Sequence, residues 1–263
     1  EVVLEVKNLK TYFYNYDREL RAVDDLSYKV HRGECVAIIG ESGSGKTVSA
    51  LSILRLVSYP PGLIMGGQIM FKGKDLLQMS DEEYRQIRGS DISMIFQEPM
   101  SSLNPSMRID KQMIEGIRLH TPLTKAEARK KAADILSQVG IPDPQRVLKN
   151  YPHQLSGGML QRIMIGIAMA LQPELLIADE PTTAIDAVTQ YEILEEFVRI
   201  KKNKNTAMLF ITHDLGAISK VADRILVMNS GQIVDSGDFE HIRNHANDPY
   251  TRLLIEKRSA VMC

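Results

Sequence analysis

A glycine-rich segment, Gly40-Glu41-Ser42-Gly43-Ser44-Gly45-Lys46-Thr47, limits the possible folds of this chain more than any other feature. It matches the pattern G-x-x-x-x-G-K-[ST], follows the apolar run Cys35–Ile39, and precedes a helix predicted over residues 47–57. Glycines let backbone N–H groups surround phosphate oxygens, Lys46 reaches the β- and γ-phosphates, and the Thr47 hydroxyl can bind Mg²⁺. The segment, called the phosphate loop below, predicts a nucleoside triphosphate site without identifying the kind of NTPase. The alternative is a glycine turn with a solvated lysine.

Two carboxylates follow a second predicted strand. The apolar run 175–178 ends at Asp179 and Glu180. Because ligands lie at the carboxyl ends of strands in an open parallel sheet, Asp179 is predicted to bind Mg²⁺, directly or through water. Glu180 points differently and is predicted to polarise the water that attacks the γ-phosphate. The alternative is a solvated acidic turn that caps the next helix, which the phosphate loop in the same chain makes less favourable.

A histidine follows a third predicted strand, Ala207–Ile211. Since this strand would bring His213 to the same edge of the sheet, its imidazole is predicted to hydrogen-bond the γ-phosphate, the attacking water or Glu180. A single histidine is more often structural. The remaining histidines show no comparable setting: His31, His120, His153, His241 and His245.

Strands and helices alternate along most of the chain. Short strands are predicted at residues 2–6 and 22–28, around a polar turn near residues 15–19, and a hairpin at 225–228 and 232–234 closes the pattern. This alternation predicts an α/β fold with a parallel sheet and helices on its faces.

The region 77–166 has a different character, because helical segments dominate it. Helices are predicted at 81–88, 111–120 and 125–139, and the last begins at a Thr124 cap. This region is predicted to be a helical insertion between two parts of the α/β core. Beyond it, helices are predicted at 187–201 and Leu215–Val221.

Composition restricts the class of protein further. The formal net charge of −1 gives no field that would draw the chain onto nucleic acid. Cys35 and Cys263 cannot form a disulfide framework or a metal cluster by themselves, so a reduced, cytoplasmic protein is predicted. Neither an apolar run of about 18 residues nor a signal-peptide pattern occurs, so any membrane role is expected to depend on a partner.

The segment Leu155-Ser156-Gly157-Gly158-Met159-Leu160-Gln161-Arg162 resembles the LSGGQ-type signature that separates ABC ATPases from other P-loop proteins. It places Ser156, Gly157 and Gly158 at the start of a helix predicted over 159–171, which makes a second anion-binding helix end. The alternative is an ordinary capped helix. The resemblance covers nearly the whole chain.

The family resemblance implies a single nucleotide-binding domain over residues 1–263: an α/β P-loop NTPase core with an antiparallel β subdomain and a helical insertion subdomain. Residues 1–76 and 167–237 are expected to form the β-rich and RecA-like core. Residues 77–166 would be the helical subdomain, and 238–263 the start of a C-terminal extension.

The resemblance also implies roles for further residues. Gln97, in Met94-Ile95-Phe96-Gln97-Glu98-Pro99, resembles the Q-loop glutamine, which in the family reaches Mg²⁺ and the attacking water. Ala184-Ile185-Asp186 resembles the D-loop. Phe13 occupies the place of an aromatic residue that stacks on adenine. Tyr12 and Tyr14 flank it, and an edge-strand aromatic that covers the core is the alternative.

In the family, two such subunits form a head-to-tail dimer with ATP between the phosphate loop of one and the signature of the other. Closure on ATP is passed to transmembrane subunits through a groove near the Q-loop. The resemblance therefore implies ATP and Mg²⁺ as ligands. It implies a second ATPase subunit, two permease subunits and an extracytoplasmic substrate-binding protein as partners, with this chain at the cytoplasmic face of the cell membrane. Nucleic acid is not expected as a partner.

Three segments resemble the dipeptide, oligopeptide and nickel importer branch of the family: Pro99-Met100-Ser101-Ser102-Leu103-Asn104-Pro105, Tyr151-Pro152-His153-Gln154 and Asp248-Pro249-Tyr250-Thr251-Arg252-Leu253-Leu254. The form of the signature resembles the first of that branch's two ATPases, which implies a heterodimer. The tail of this branch is usually longer and sometimes holds a cysteine-bound iron–sulfur cluster. Because the sequence stops at Cys263, no cluster is predicted in it.

Three functions compete at this point. The first is an importer ATPase for peptides, or for nickel or a metal–metallophore complex, and the cargo stays open. The second is a soluble ABC ATPase acting in DNA repair or on ribosomes. Such proteins usually carry a long coiled-coil insertion or tandem cassettes, neither of which this sequence shows, and its near-neutral charge argues against nucleic acid. The third is a regulatory nucleotide-binding module without turnover, against which Lys46, Asp179, Glu180 and His213 argue.

Overall fold

The computed structural model describes residues 1–15, 18–183, 185–203 and 205–259, without the side chains of Ser101 and Ser259. The prediction about Cys263 therefore lies outside the described residues, as do Ala184 of the D-loop segment and the middle of the predicted turn at 15–19.

The predicted apolar strands form one sheet. Within the described residues this sheet has six strands in the order β10-β9-β3-β8-β7-β6, which are parallel except for β10. The strands are β3 (Cys35–Ile39), β6 (Ile92–Ile95), β7 (Leu175–Asp179), β8 (Ala207–Ile211), β9 (Arg224–Asn229) and β10 (Gln232–Gly237). Every position of β3, β7 and β8 is buried, as their apolar runs predict. Their carboxyl ends meet at one edge of the sheet.

A second, antiparallel sheet has the order β2-β1-β4-β5. Its strands are β1 (Val2–Asn15), β2 (Arg18–His31), β4 (Gly62–Phe71) and β5 (Lys74–Asp75). The sequence predicted only the first part of β1 and the middle of β2, and missed β4 and β5. Register shifts interrupt the pairing of β1 with both neighbours, so the alternation of apolar and polar residues breaks within each strand.

The helices flank the six-stranded sheet. They are α1 (Lys46–Ile53), α2 (Asp81–Ile87), α3 (Pro99–Ser102), α4 (Ile109–His120), α5 (Lys125–Gln138), α6 (Pro144–Val147), α7 (Gly157–Met169), α8 (Ala187–Lys202), α9 (Leu215–Val221), α10 (Phe239–Asn244) and α11 (Pro249–Ser259). Thr124 caps α5 together with Glu127, as predicted. Helix α1 ends before the predicted residue 57, because Arg55 adopts a left-handed conformation at φ 52°.

In the region 77–166 the sequence predicted that helical segments dominate, and the structure adds a strand that was not predicted. The region contains β6, which pairs with β7 at the edge of the six-stranded sheet, and α7 continues past its end to Met169. A buried strand of four residues cannot be distinguished from a helical segment by its periodicity. The wider division of the chain into subdomains stays a prediction.

Apolar side chains fill both faces of the six-stranded sheet. On one face, α5, α7 and α8 pack over β7 and β8, with the rings of Phe197 and Phe210 in an edge-to-face contact. The opposite face packs against β1, β2 and α1. A third cluster joins α9, α10 and α11 to β3 and β9 and includes Leu254 and Ile255. The C-terminal helix is therefore part of the core beside the strand that precedes the phosphate loop.

Candidate functional site

The phosphate loop connects β3 to α1, as predicted. Helix α1 begins after Gly45, which has a φ of 100° and provides no side-chain cap. A Cβ atom at Gly45 would lie 2.1 Å from the carbonyl oxygen of Ala22, so only glycine fits there. The first amides of α1 are therefore left without a capping side chain, at a helix end that carries partial positive charge.

The ammonium of Lys46 lies across this loop. Its Nζ donates hydrogen bonds to the carbonyl oxygens of Gly40 (3.0 Å) and Glu41 (2.9 Å). Burial lowers the pKa of Lys46, an effect that the negative charge of Glu180 opposes. An anion bound in the loop would offset this loss of hydration.

Two buried side-chain oxygens without partners belong to the phosphate loop and to the end of β7. Asp179 Oδ1 and Ser44 Oγ are inaccessible and have no hydrogen-bond partner among the described residues. Burial raises the pKa of Asp179, while the side chain of Thr47 counteracts this and the charge of Glu180 adds to it. A carboxylate and a hydroxyl are ligands that Mg²⁺ prefers, so Asp179 and Thr47 fit a magnesium ion.

Glu180 turns away from Asp179 at the end of β7. Its φ is 47°, a left-handed conformation, and its backbone N–H donates to the carbonyl of Ile211 (2.8 Å). The carboxylate oxygen Oε2 lies 2.8 Å from His213 Nδ1 and accepts a hydrogen bond from Thr183 Oγ1 at 3.3 Å. Successive acidic residues thus have different positions, one buried and one at the cleft.

His213 lies on the loop after β8, where the sequence placed it. Its side chain is 56% exposed, and the contact with Glu180 assigns the proton of the neutral imidazole to Nδ1. The loop is held by Asp214, whose N–H donates to Thr212 Oγ1 (3.1 Å) and whose carboxylate caps α9. The contact with Glu180 is one of the three hydrogen bonds that the sequence predicted for this imidazole.

One cleft of about 600 Å³ brings most of the predicted residues together. The predicted residues that line it are Phe13, Gly40, Ser42, Gly43, Gly45, Lys46, Thr47, Gln97, Glu180 and His213. Leu20, Ala22, Val48 and Arg258 line it as well and were not predicted. The exposed position of Leu20 in a strand could have hinted at a binding surface, but the position of Arg258 depends on how the C-terminal helix packs.

The structure distinguishes Phe13 from its aromatic neighbours. Phe13 lines the cleft. The side chain of Tyr12 is buried and its hydroxyl donates to Asp24 Oδ1 at 2.6 Å. Tyr14 is 43% exposed and contacts Met65. Phe13 is thus the aromatic residue of the three that faces the cleft, where a base could stack on its ring.

The signature residues are not among those lining this cleft. Ser156 caps α7 by accepting a hydrogen bond from the N–H of Met159 at 3.3 Å. Ser156 and Gly157 are exposed, and the backbone of Gly158 faces α8, where a Cβ atom would lie 2.5 Å from Thr189 Cγ2. The described part of the D-loop segment is close by, since Asp186 caps α8. The chain therefore presents a capped helix end apart from its own phosphate loop.

A second cavity, of about 250 Å³, lies between β6, α4 and α7. Its lining is mainly apolar and includes Leu54, Met94, Phe96, Met113, Ile117 and Ile167. Phe96 directly precedes Gln97, which lines the phosphate cleft, so adjacent residues of the predicted Q-loop line the two cavities.

A phosphate loop after a central strand of a parallel sheet places the chain in the class of P-loop NTPases. A family model described as "ABC transporter" matches residues 23–183. The oligopeptide transport ATP-binding protein OppD of Bacillus subtilis is 46% identical over 95% of this chain and 70% of its own length. The dipeptide transport ATP-binding protein DppD of Escherichia coli is 46% identical over 96% of this chain and 77% of its own length. The chain therefore belongs to the ABC transporter family, as its signature indicated.

A solved structure agrees with the fold. The ATP-binding cassette MJ0796, determined as a dimer in a post-hydrolysis state with ADP and Pi, superposes with a TM-score of 0.80 at 24% identity. The match covers 90% of this chain and 98% of that chain. Among the described residues, no helix is both long and apolar enough to span a membrane.

Proposed function

We propose that this chain is the ATP-binding and ATP-hydrolysing subunit of an ABC importer for dipeptides or oligopeptides. The observation that carries the proposal is the contact of His213 with Glu180 in the cleft that contains the phosphate loop. The names of OppD and DppD support a peptide cargo and favour it over nickel or a metallophore complex.

ATP would bind with its phosphates in the phosphate loop and its base near β1. The uncapped amides of α1 and the ammonium of Lys46 supply positive charge to the phosphates. The ring of Phe13 offers a face for adenine at the other side of the cleft. Leu20 and Ala22 extend this apolar wall.

Mg²⁺ would be held by Thr47 and Asp179, and Gln97, which lines the same cleft, would be a further oxygen ligand. The unpartnered Asp179 Oδ1 supports this assignment, because a buried carboxylate oxygen needs a cation or a hydrogen-bond donor. Bound Mg²⁺ neutralises charge on the β- and γ-phosphates. Protonation of Asp179, which its raised pKa favours, would compete with the ion.

Glu180 would act on the attacking water. Its carboxylate is held by His213 and Thr183 at the cleft, so its orientation is fixed before a nucleotide arrives. A carboxylate in this position takes a proton from water as the water approaches the γ-phosphate. His213 and Gln97 would then orient the carboxylate and the water respectively.

The second half of the site would come from a partner ATPase. The capped N-terminus of α7 is exposed and separate from the phosphate cleft of its own chain. Its helix end carries partial positive charge and could contact the γ-phosphate of ATP held by another subunit. A head-to-tail pair would complete two sites in this way.

The apolar cavity beside the Q-loop would receive the permease. A cavity of about 250 Å³ lined by β6, α4 and α7 suits apolar side chains from a cytoplasmic segment of a membrane subunit. Since Phe96 and Gln97 are adjacent, displacement of this wall would reach the phosphate cleft directly. This contact would hold the chain at the cytoplasmic face of the membrane, where the permease pair and an extracytoplasmic binding protein supply the cargo.

The test is purification of the complex through an affinity tag on this chain, followed by reconstitution in lipid vesicles. We expect a second ATPase, two permeases and a binding protein to co-purify. ATP hydrolysis should be slow for the isolated chain and should rise in the complex when the binding protein carries a dipeptide or an oligopeptide. A complex with Glu180→Gln is the control for contaminating ATPases.

Other outcomes would overturn parts of the proposal. Fast hydrolysis by a strictly monomeric chain would contradict the composite site. Stimulation by nickel or a nickel complex, without stimulation by peptides, would overturn the peptide cargo. Recovery of ribosomes or DNA in place of permeases would favour the soluble ATPase considered from the sequence.

A further inference from the structure

We infer that Arg258 is a positioning residue for ATP hydrolysis, which ties the His213 loop to the phosphate loop and thereby holds His213 against Glu180. The inference rests on the proposed ATPase function. Its basis is a pair of hydrogen bonds from one guanidinium: Nη1 donates to the carbonyl oxygen of His213, and Nη2 donates to that of Gly40 at 3.3 Å.

The two carbonyls lie just beyond the paired ends of β3 and β8. The register of these strands runs to Ile38 opposite Ile211, and the next contact, from Thr212 N to Ile38 O, is already long at 3.4 Å. Past this point, the guanidinium joins the chain at Gly40 to the chain at His213. Arg258 therefore extends the connection between the two strands into the site.

Helix α11 presents Arg258 from a fixed position. Asp248 caps the start of the helix by accepting hydrogen bonds from the N–H groups of Tyr250 (2.8 Å) and Thr251 (3.2 Å). Leu254 and Ile255 are buried in the cluster that covers β3 and β9. Because packing and capping hold the helix, the two bonds of Arg258 are not needed to keep α11 in place.

A second contact fixes the same part of the phosphate loop. The hydroxyl of Tyr250 accepts a hydrogen bond from the backbone N–H of Glu41 at 2.9 Å. Gly40 O also accepts from Lys46 Nζ, so the carbonyl that Arg258 contacts belongs to the phosphate loop's own hydrogen-bond network. Helix α11 thus contacts the phosphate loop at Gly40 and Glu41 and the histidine loop at His213.

The geometry suits an arginine because its planar guanidinium carries several N–H donors in a rigid fork that can reach two acceptors at once. His213 needs such support, since its side chain is 56% exposed and packing alone does not select its rotamer. With its carbonyl fixed, the imidazole is directed to Glu180 Oε2 at 2.8 Å. Without Arg258 the loop would sample orientations in which Glu180 loses this partner.

The test is steady-state ATP hydrolysis by the tagged complex carrying Arg258→Ala. We expect kcat to fall about tenfold, the kinetic equivalent of one hydrogen bond to a charged group, and KM for ATP to change less than about twofold. Arg252→Ala is the matched control, because it removes an exposed guanidinium from the same helix. Arg252 contacts the carbonyl oxygen of Asn247 at 3.4 Å, away from both loops, so activity should stay within about twofold.

A double-mutant cycle separates positioning from a general structural role. In a His213→Ala background, single-turnover phosphate release should fall less than about twofold on adding Arg258→Ala, because the imidazole that Arg258 orients is absent. Arg258→Lys should regain part of kcat by contacting one of the two carbonyls. This variant also decides the question if Arg258→Ala does not fold.

The opposing results are distinct. Equal losses in both backgrounds would show that Arg258 does not act through His213. A large rise in KM would make it a nucleotide contact, and a rise in kcat would make it an inhibitory one; either overturns the inference. Failure of the wild-type complex to bind or hydrolyse ATP would instead overturn the proposed function, and the inference with it.

Discussion

Among the described residues, helices α1 and α7 both begin at glycine-containing segments, and their first turns are completed differently. Helix α1 follows Gly45 and has no side-chain cap. Helix α7 has Ser156, which accepts a hydrogen bond from the N–H of Met159. The first lies in a cleft lined by an ammonium, a carboxylate and an imidazole, whereas the second lies apart from that cleft.

The difference teaches what each helix end can do. No capping side chain accepts hydrogen bonds from the first amides of α1. These amides are therefore suited to a ligand that stays in the cleft during the reaction. The end of α7 satisfies one amide itself and has no acid or base of the cleft beside it. It can therefore contribute charge and shape to a phosphate, but the chemistry has to be supplied by another subunit. The substitutions below test this division of roles.

The largest expected effect is on turnover at the half of the site that contains the phosphate loop and the start of α1, named the α1 half. Glu180→Gln keeps the shape and the contact with Thr183 but removes the base, so kcat should fall about 10²–10⁴-fold while ATP binding persists. Phosphate release and ATP affinity are measured on the same preparation, with Glu256→Gln as an exposed control. Turnover close to that of the wild type would remove Glu180 from this role.

Lys46→Ala should weaken ATP binding by about tenfold to a hundredfold or more, the loss expected for a charged hydrogen bond to phosphate. The ammonium lies across the loop in contact with Gly40 and Glu41, so its removal leaves these carbonyls to solvent but deletes the cation. Calorimetry of the isolated chain measures the affinity, and Lys10→Ala provides an exposed lysine for comparison. Unchanged affinity would refute the assignment.

Gly157→Asp tests the α7 half and should have an intermediate effect. The position is exposed and the nearest atom to a new Cβ lies 3.9 Å away, so the fold should accept the side chain. A carboxylate at a helix N-terminus stabilises the helix by about 0.3–1 kcal/mol but repels a phosphate. We expect ATP affinity of the isolated chain to be unchanged and turnover of the complex to fall about tenfold. Reduced affinity in the isolated chain would break the division between the two helix ends.

The sequence predicted the α1 half better than its surroundings. Asp179 and Glu180 lie at the end of one fully buried strand and His213 lies just beyond another, and parallel pairing brings such strand ends together without further information. The segment 92–95 was missed because four residues, three of them apolar, carry too little periodicity. Strand β4 was missed because bulges and glycines interrupt its alternation, and β5 was missed because two residues are too short to show any.

The role of Arg258 could not be predicted from the sequence, for a different reason. Its position depends on how Leu254 and Ile255 pack α11 over β3 and β9, and no local pattern around residue 258 records that packing. Phe13 was an intermediate case. The three consecutive aromatic residues indicated a binding surface. Only the strand register in the structure shows that Tyr12 faces Asp24 and Phe13 faces the cleft.

The smallest expected effect concerns stability at the α1 half. Burial raises the pKa of Asp179 above the ordinary value of 3.8, so the folded chain holds this proton more tightly than the unfolded chain does. Stability therefore falls as pH rises above 3.8 through the folded-state pKa, and at neutral pH the ionised carboxylate destabilises the metal-free protein. Asp179→Asn should then raise Tm by a few degrees at neutral pH without nucleotide.

When Mg²⁺ and ATP are present, Asp179→Asn should lower Tm relative to the wild type instead of raising it. A ligand that binds only the folded state raises stability in proportion to its affinity, and the variant lacks the carboxylate that would hold the metal. Thermal unfolding of wild type and Asp179→Asn, with and without Mg–ATP and near pH 4, measures both effects. If the variant melted below the wild type in the absence of nucleotide, Asp179 would be satisfied by the protein alone. The α1 half would then resemble α7, a helix end completed within its own chain, and the contrast between the two would be lost.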